Sequence, residues 1–359
     1  SAHARQRKLL APAFAPKRIA QYSAVMVDGA ERAAAGWCDG QKIDAAAELM
    51  RMTLEIAARV LFDAEIGFEA TEFGSALTVA MHQVLDSGNA LLPVPAHWPT
   101  PGNLRLRRAV SRLDQTVARI VDERRRSPCD RGDVLSVLLA ARDDNGDSMT
   151  DRLLRDEVMT LLLAGHETTA NALSWCVYRL ARDPAVRERV ENEVDAVVGE
   201  RAPTHEDLPR LPFLEAVLKE TMRLHPPAYL VGRYTLRDLR LGDAFLPAGT
   251  LALVNIYGIH RSARYYADPL VFSPTRFLAE NEAGIPKRAY LPFGTGPRTC
   301  VGNHFAMLEG KLALASIVRQ VRLRLDTSTV DVDPLLTLRP RGGLPVCIER
   351  RLERKSDVP

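Results

Sequence analysis

The chain has 359 residues, with 48 Lys or Arg against 45 Asp or Glu, for a formal net charge of +3. An apolar share of 46%, a charged share of 26%, 22 glycines and 23 prolines are the mix of a soluble globular protein, and exclude a fibrous or disordered one. The charge is too mild and too evenly spread for a nucleic-acid surface, no stretch reaches the roughly 18 uninterrupted apolar residues of a membrane span, and the opening residues do not read as a secretory signal.

Long helices come first and irregular chain later. Helical apolar spacing runs over 17–36, 45–62, 70–86 and 103–126, broken by the proline-rich loops Leu92-Pro93-Val94-Pro95 and Trp98-Pro99-Thr100-Pro101. Asp143-Asp144-Asn145-Gly146-Asp147 is a polar turn. Thr150 reads as the N-cap of a helix reaching about Arg182, longer than most globular helices. Asp183-Pro184 opens another to about Val198, and 211–224 forms one more. Short β-like pieces follow at Tyr229–Leu239 and Thr250–Val254, with further strand pattern near 334–349. A loop-rich stretch over 258–301 leads to a last helix from about Asn303 to Gln320. The expected fold class is mainly α with a minor β part.

The five cysteines, Cys38, Cys129, Cys176, Cys300 and Cys347, are odd in number and contain no CxxC pair. Neither a disulfide framework nor a zinc site is favoured. Reduced thiols in a cytoplasmic protein fit better. Four of them read as small buried hydrophobes; Cys300 has different neighbours.

Those neighbours are Phe293-Gly294-Thr295-Gly296-Pro297-Arg298-Thr299-Cys300-Val301-Gly302. The segment resembles the haem-binding loop of the cytochrome P-450 family, F-x-x-G-x-R-x-C-x-G, at every fixed position. The chemistry suits the residue types. A thiolate ligand needs backbone N–H groups and the start of a helix to hold its charge. Gly294 and Gly296 allow tight turns and a close approach to a flat macrocycle. The resemblance makes Cys300 the axial ligand of a haem b iron, with Phe293 packed beside the sulfur, Gly302 among the cofactor-binding residues and Arg298 on a haem propionate.

Ala164-Gly165-His166-Glu167-Thr168-Thr169, in the middle of the longest helix, is similar to the family's oxygen-activating segment. A glycine, an acid and two threonines are poor choices for a plain helix interior, and they suggest a helix locally opened beside a ligand. The resemblance gives Thr168 a hydrogen bond to oxygen or its water and makes Glu167 the proton relay. Ala164 and Gly165 flank the cofactor. His166 reads as a polar residue on the helix's other face.

Glu220-Thr221-Met222-Arg223 matches the family's E-x-x-R, an i, i+3 pair on one helix face. Arg276, in Pro274-Thr275-Arg276-Phe277, completes the family's structural triad, while Asn255 and His260-Arg261 take packing and hydrogen-bonding roles. By the same resemblance His3, Arg7 and Arg233 face the propionates, because His3–Phe14 is similar to a family segment of basic helix followed by P-x-F.

The resemblance covers essentially the whole chain as a single catalytic domain, 1–359, incomplete at the N-terminus. It begins inside the family's third helix, so the first helices and first sheet strands of the fold are expected to be absent, leaving an unpaired sheet edge near 229–254 and 334–349. The implied activity is a monooxygenase reaction: one oxygen atom from O2 enters a hydrophobic organic substrate, with electrons from a separate ferredoxin or flavoprotein reductase. A peroxide-using relative and a truncated haem-binding remnant without turnover are the alternatives. A cytoplasmic monomer is expected, with apolar pocket residues drawn from Phe68, Phe73, Leu91, Leu92, Leu162, Ala228, Tyr229 and Leu230.

Overall fold

Side-chain caps start the long helices where an Asp or Thr precedes an apolar run. The computed structural model describes residues 2–67, 69–89, 95, 97–127, 129–142, 146, 148–326 and 329–351. Its helices are α1 (Ala2–Leu10), α2 (Pro16–Gln21), α3 (Ser23–Ala35), α4 (Ala45–Phe62), α5 (Glu69–Asn89), α6 (Pro101–Arg126), α7 (Val134–Ala140), α8 (Asp151–Arg182), α9 (Pro184–Val197), α10 (Pro212–Leu224), α11 (Ile256–His260), α12 (Ala279–Glu282) and α13 (Asn303–Gln320). Asp44 accepts from the Ala46 N–H at 3.0 Å, Thr100 from Asn103 at 3.2 Å, Thr150 from Leu153 at 3.2 Å and Asp183 from Val186 at 3.1 Å. Thr150 and Asp183 therefore bracket the 32-residue α8, the spine of the fold.

The strands are β1 (Lys42–Asp44), β2 (Leu230–Tyr234), β3 (Leu239–Leu241), β4 (Ala244–Leu246), β5 (Leu251–Asn255), β6 (Val321–Leu325), β7 (Val332–Pro334), β8 (Leu338–Pro340) and β9 (Pro345–Arg350). They form one three-stranded antiparallel sheet, β1-β9-β6, and three two-stranded pieces, β2-β5, β3-β4 and β7-β8. The mainly helical architecture matches the expectation. Asp44 ties sheet to helix: its carboxylate caps α4 and also accepts from the Leu344 N–H at 2.7 Å.

One apolar core runs from Leu10 to Ile348. α4 lies along α8, where Gly165 leaves room for Leu61 and Ala57. α13 packs on α3 and against α8. The core thus clamps α8 and α13, and the segment 290–302 leads into α13 from the side.

Several expectations need correction. The run 17–36 is two helices, divided at Tyr22, whose N–H bonds to Ile19 at 3.0 Å in a tighter turn. α7, β1 and β4 were not legible, being too short to show a period, whereas β6 was missed although its Val-Arg-Leu-Arg-Leu alternates. β9 has no free edge, because β1 and β6 flank it; the two-stranded β2-β5 does expose Leu230, Leu251, Leu253 and Val254. Of the four cysteines expected to be buried, only Cys176 is. Cys38 and Cys129 are exposed and Cys347 is half-buried, since they sit in a turn, a loop and a strand of the small sheet. Phe68, Leu91 and Leu92, and most of the polar turn at 143–147, lie outside the described residues.

Candidate active site

A cavity of about 320 Å³ opens between α8 and the segment leading to α13. On one side stand Ala164, Gly165, Thr168, Thr169 and Ala172 of α8. Phe293, Gly294, Arg298, Cys300, Val301 and Gly302 face them, with Phe305 and Ala306 of α13 beside these. Phe14, Leu61, Leu161, Val231, Ile256 and Met222 make much of the remaining wall apolar, and Arg233 is on its rim.

Local hydrogen bonds fold the cysteine loop. The Cys300 N–H donates to the Phe293 carbonyl at 2.9 Å, and the Gly294 N–H to Leu291 at 3.0 Å. Gly294 and Gly296 have φ of +68° and +74°, a region that disfavours any side chain, and a Cβ built at either meets no protein atom within 4 Å. The loop therefore presents bare backbone toward open space, as a flat ligand would need. Thr299 is pinned from inside by its bonds to Gly296, 3.0 Å through the amide and 2.8 Å through the hydroxyl. From outside, Arg7 donates to the Thr299 carbonyl.

Cys300 itself is exposed on the cavity wall. Burial of the loop raises its thiol above the usual range, opposed by the Gly302 N–H and the Arg7 charge. Desolvation and the charges of Arg298 and Arg7 hold His3 below its ordinary range, which favours its neutral ring beside the two guanidinium groups. Arg298 and Arg233 line the cavity; His3 and Arg7 are not part of its wall. Arg233 Nη1 also donates to the Gly232 carbonyl at 2.8 Å.

The α8 segment is not opened as the sequence suggested: the helix runs unbroken from Asp151 to Arg182. Its hydroxyls and acids bond locally instead. Thr168 Oγ1 donates to the Ala164 carbonyl at 2.9 Å, so its lone pairs are what it offers the cavity. Glu167 is absent from the cavity wall. It is 3% exposed, and its Oε1 accepts from Thr337. Burial raises its carboxyl above the usual range, against the pull of Thr337 and the Arg339 charge. His166 is fully buried and pushed down to about 4 by burial. Its Nδ1 bonds the Leu162 carbonyl at 2.6 Å.

Glu220, Arg223 and Arg276 lie apart from the cavity in a buried hub. Arg223 Nε and Nη2 donate to the two Glu220 oxygens at 2.6 and 2.8 Å, and the pair is fully buried. Arg223 also donates to the carbonyls of His260 and Pro269, each at 2.7 Å, and of Val271 at 3.1 Å. The Ser273 N–H reaches Glu220 at 2.8 Å, and Arg276 approaches it at 3.4 Å. Every strong donor and acceptor of this ion pair is used, which is what a buried pair requires. Asn255 caps α11 through the Gly258 N–H at 2.9 Å.

Sequence reasoning missed part of the wall. Phe73 and Leu162 belong to the core, Tyr229 donates to the Leu335 carbonyl at 2.9 Å, and of the expected pocket residues Ala228 lines the cavity. The helical spacing of Leu161, Gly165, Thr168 and Ala172 would have marked the right face of α8. Nothing near Thr337 in the sequence pointed to Glu167. Also missed was Glu309 on α13, fully buried beside Thr169, whose carboxyl burial raises well above the usual range.

The family model described as Cytochrome P450 matches residues 1–346. "Cyclooctatin synthase" of Streptomyces melanosporofaciens is 40% identical over 329 residues, covering 90% of this chain and 71% of that protein. "Cyclooctat-9-en-7-ol 5-monooxygenase" of the same organism is 36% identical over 97% of this chain and 76% of its own length. Among solved structures, the "cytochrome P450DA heme domain" superposes with a TM-score of 0.85 at 28% identity, covering 96% of this chain and 77% of that one.

Proposed function

The chain belongs to the cytochrome P450 family and is a haem-dependent monooxygenase, and from that premise we propose that Cys300 ligates the iron of haem b, that Thr168 on the opposite wall and Glu167 buried behind it handle protons, and that the substrate is a hydrophobic organic molecule. The observation that carries this is the placement of an exposed cysteine on a bare glycine loop across one cavity from the Thr168 face of α8.

The cavity suits the group. Gly294 and Gly296 leave space where a macrocycle can lie, and Ala164 and Gly165 keep the facing wall low. Phe293 and Val301 shield the sulfur with apolar surface. Arg298 and Arg233 are on the wall to take the propionates, Arg7 adds positive charge beside the loop, and His3 offers a ring N–H rather than a charge. A thiolate-ligated haem supplies O–O bond cleavage, and the overall reaction takes a C–H bond, O2, two electrons and two protons to an alcohol and water.

The chain's own residues do the rest. Apolar wall residues such as Leu161, Val231 and Ile256 strip water from the substrate. Thr168 holds a hydroxyl oxygen at the cavity, where it accepts a hydrogen bond from water. Glu167 stores a proton one residue away, because burial disfavours its charged form. The Glu220–Arg223–Arg276 hub keeps the segment that precedes the cysteine loop in place.

The two electrons come from a separate ferredoxin or flavoprotein reductase in this reading, and residues 1–359 act as one catalytic domain. No helix among the described residues is long and apolar enough to cross a membrane; the free cysteines support a reducing, cytoplasmic setting. A carbon monoxide difference spectrum of the reduced, haem-loaded protein is the test. A Soret band far to the red supports a Cys300 thiolate, and a band at the position of a nitrogen-ligated haem refutes it.

A further inference from the structure

One stripe of α8 faces away from the cavity. Glu167, Asn171 and Trp175 recur at i, i+4 and i+8 and so share a face, and each is hydrogen-bonded to the β7-β8 hairpin. Thr337 Oγ1 donates to Glu167 Oε1. Thr337 Oγ1 in turn accepts from Asn171 Nδ2 at 2.9 Å, and Trp175 Nε1 donates to the Leu338 carbonyl at 3.0 Å. Glu167, Asn171 and Thr337 are 3%, 2% and 7% exposed. The Leu338 N–H donates to the Pro227 carbonyl at 3.0 Å, which anchors the hairpin to the chain after α10 as well.

We infer that Thr337 is a positioning residue for Glu167, and that the β7-β8 hairpin thereby governs how this acid delivers protons to the cavity. The inference rests on the reading of Glu167 as the proton store.

The geometry leaves little else to do it. Glu167 and Thr168 are consecutive, about 100° apart around the helix, so an acid on the hairpin stripe does not face the cavity by default. Its orientation is decided by what bonds it, and the hydrogen bond the structure gives its carboxyl is from Thr337. That hydroxyl and the Arg339 charge both favour the ionised acid, while burial favours the neutral one. Among the described residues Arg339 is the charge acting on Glu167. Arg339 is itself held by Asp333 at 3.4 Å and by His82 Nε2 at 2.9 Å. A change in the hairpin therefore reaches Glu167 by two routes, a bond and a charge.

Two measurements on the haem-loaded protein test this. The first is an infrared pH titration of the Glu167 carboxyl, its band identified by subtraction of Glu167→Gln. The second is the pH profile of oxygen consumption with a surrogate ferredoxin and its reductase. Thr337→Val and Arg339→Gln each remove an influence that favours ionisation, so the titration midpoint should rise by about one pH unit. The oxygen-consumption limb that Glu167→Gln abolishes should move up with it. Thr337→Ser keeps the hydroxyl and should restore both, which a purely structural role for Thr337 does not explain. A Thr337→Val midpoint equal to the parent's, or a shifted midpoint with an unmoved limb, overturns the inference while leaving Glu167 as the proton store. A pH profile untouched by Glu167→Gln overturns both. Should Thr337→Val fail to fold, Arg339→Gln carries the same two readouts.

Discussion

Arg223 and His260 clasp each other through side chain and backbone in both directions. Arg223 Nη1 donates to the His260 carbonyl at 2.7 Å, and His260 Nδ1 bonds the Arg223 carbonyl at 3.1 Å. The other ring nitrogen, Nε2, accepts from the Leu291 N–H at 2.8 Å, which fixes the tautomer with hydrogen on Nδ1. Leu291 in turn accepts from Gly294, at the start of the cysteine loop. An unbroken chain of hydrogen bonds thus runs from the Glu220–Arg223 ion pair to the loop that carries Cys300.

Arg223→Ala should therefore prevent stable haem incorporation rather than merely slow turnover. It strands Glu220 as a fully buried carboxylate, a loss of about 3–5 kcal/mol in comparable pairs. It also releases the carbonyls of His260, Pro269 and Val271. The ratio of haem to protein after purification is the measurement; a fully loaded, cooperatively folding Arg223→Ala protein contradicts this placement.

His260 also predicts a dependence on acid. Burial, with the Arg223 and Arg261 charges, pushes it down to about 4 from an unfolded value of 6.5. The unfolded chain then binds the extra proton between those values, so the stabilising share is intact above about pH 6.5 and is lost as pH falls toward 4. By pH 5 the loss is about 2 kcal/mol. His166, also pushed down to about 4, behaves alike, whereas Glu167 and Glu309, raised by burial, titrate with the opposite sign. The difference in denaturation midpoint between parent and His260→Gln isolates the one histidine. That difference should change between pH 7 and 5; a constant offset rules the ionisation out.

The ligand assignment separates cleanly by mutation. Cys300→Ser should abolish the thiolate carbon monoxide spectrum, because a hydroxyl is a poorer donor to iron, while Cys38→Ser, Cys129→Ser and Cys347→Ser leave it intact. Cys176 is the sharpest control, being buried in α8 with its thiol pushed up to about 12 by burial. A spectrum lost with Cys176→Ser and kept with Cys300→Ser refutes the site.

Much of this was legible from sequence because the chemistry is local. The loop from Phe293 to Gly302 and the pair Glu220–Arg223 carry their own spacing, and caps such as Thr150 and Asp183 mark helix ends from neighbouring residues alone. What escaped depends on long-range placement. Thr337 reaches Glu167 across 170 positions, and β1 exists because β9 pairs with it, Lys42 opposite Cys347. The expected opening of α8 failed for a related reason: Thr168 satisfies the Ala164 carbonyl within the helix, so polar residues there do not require a break.

Thr168→Ala tests the oxygen-side wall. The side chain bonds Ala164 and faces the cavity, with no contact to the cysteine loop among its hydrogen bonds, so haem content and the carbon monoxide spectrum should stay nearly unchanged. Electron consumption should continue, yet less product should form per electron, with hydrogen peroxide appearing in its place. Without the hydroxyl oxygen, no group at that point of the wall holds a water in register for the second proton, and apolar neighbours such as Ala172 and Leu161 cannot substitute. Thr168→Ser keeps the oxygen and should recover most of the coupling. Glu167→Gln should differ in kind, slowing the whole cycle, because the proton store itself is gone. The ratio of product to peroxide at equal electron input decides the matter. If Thr168→Ala keeps the parent ratio, this face of α8 is ordinary packing, and proton handling has to be sought elsewhere on the wall, with the buried pair Thr169 and Glu309 next in line.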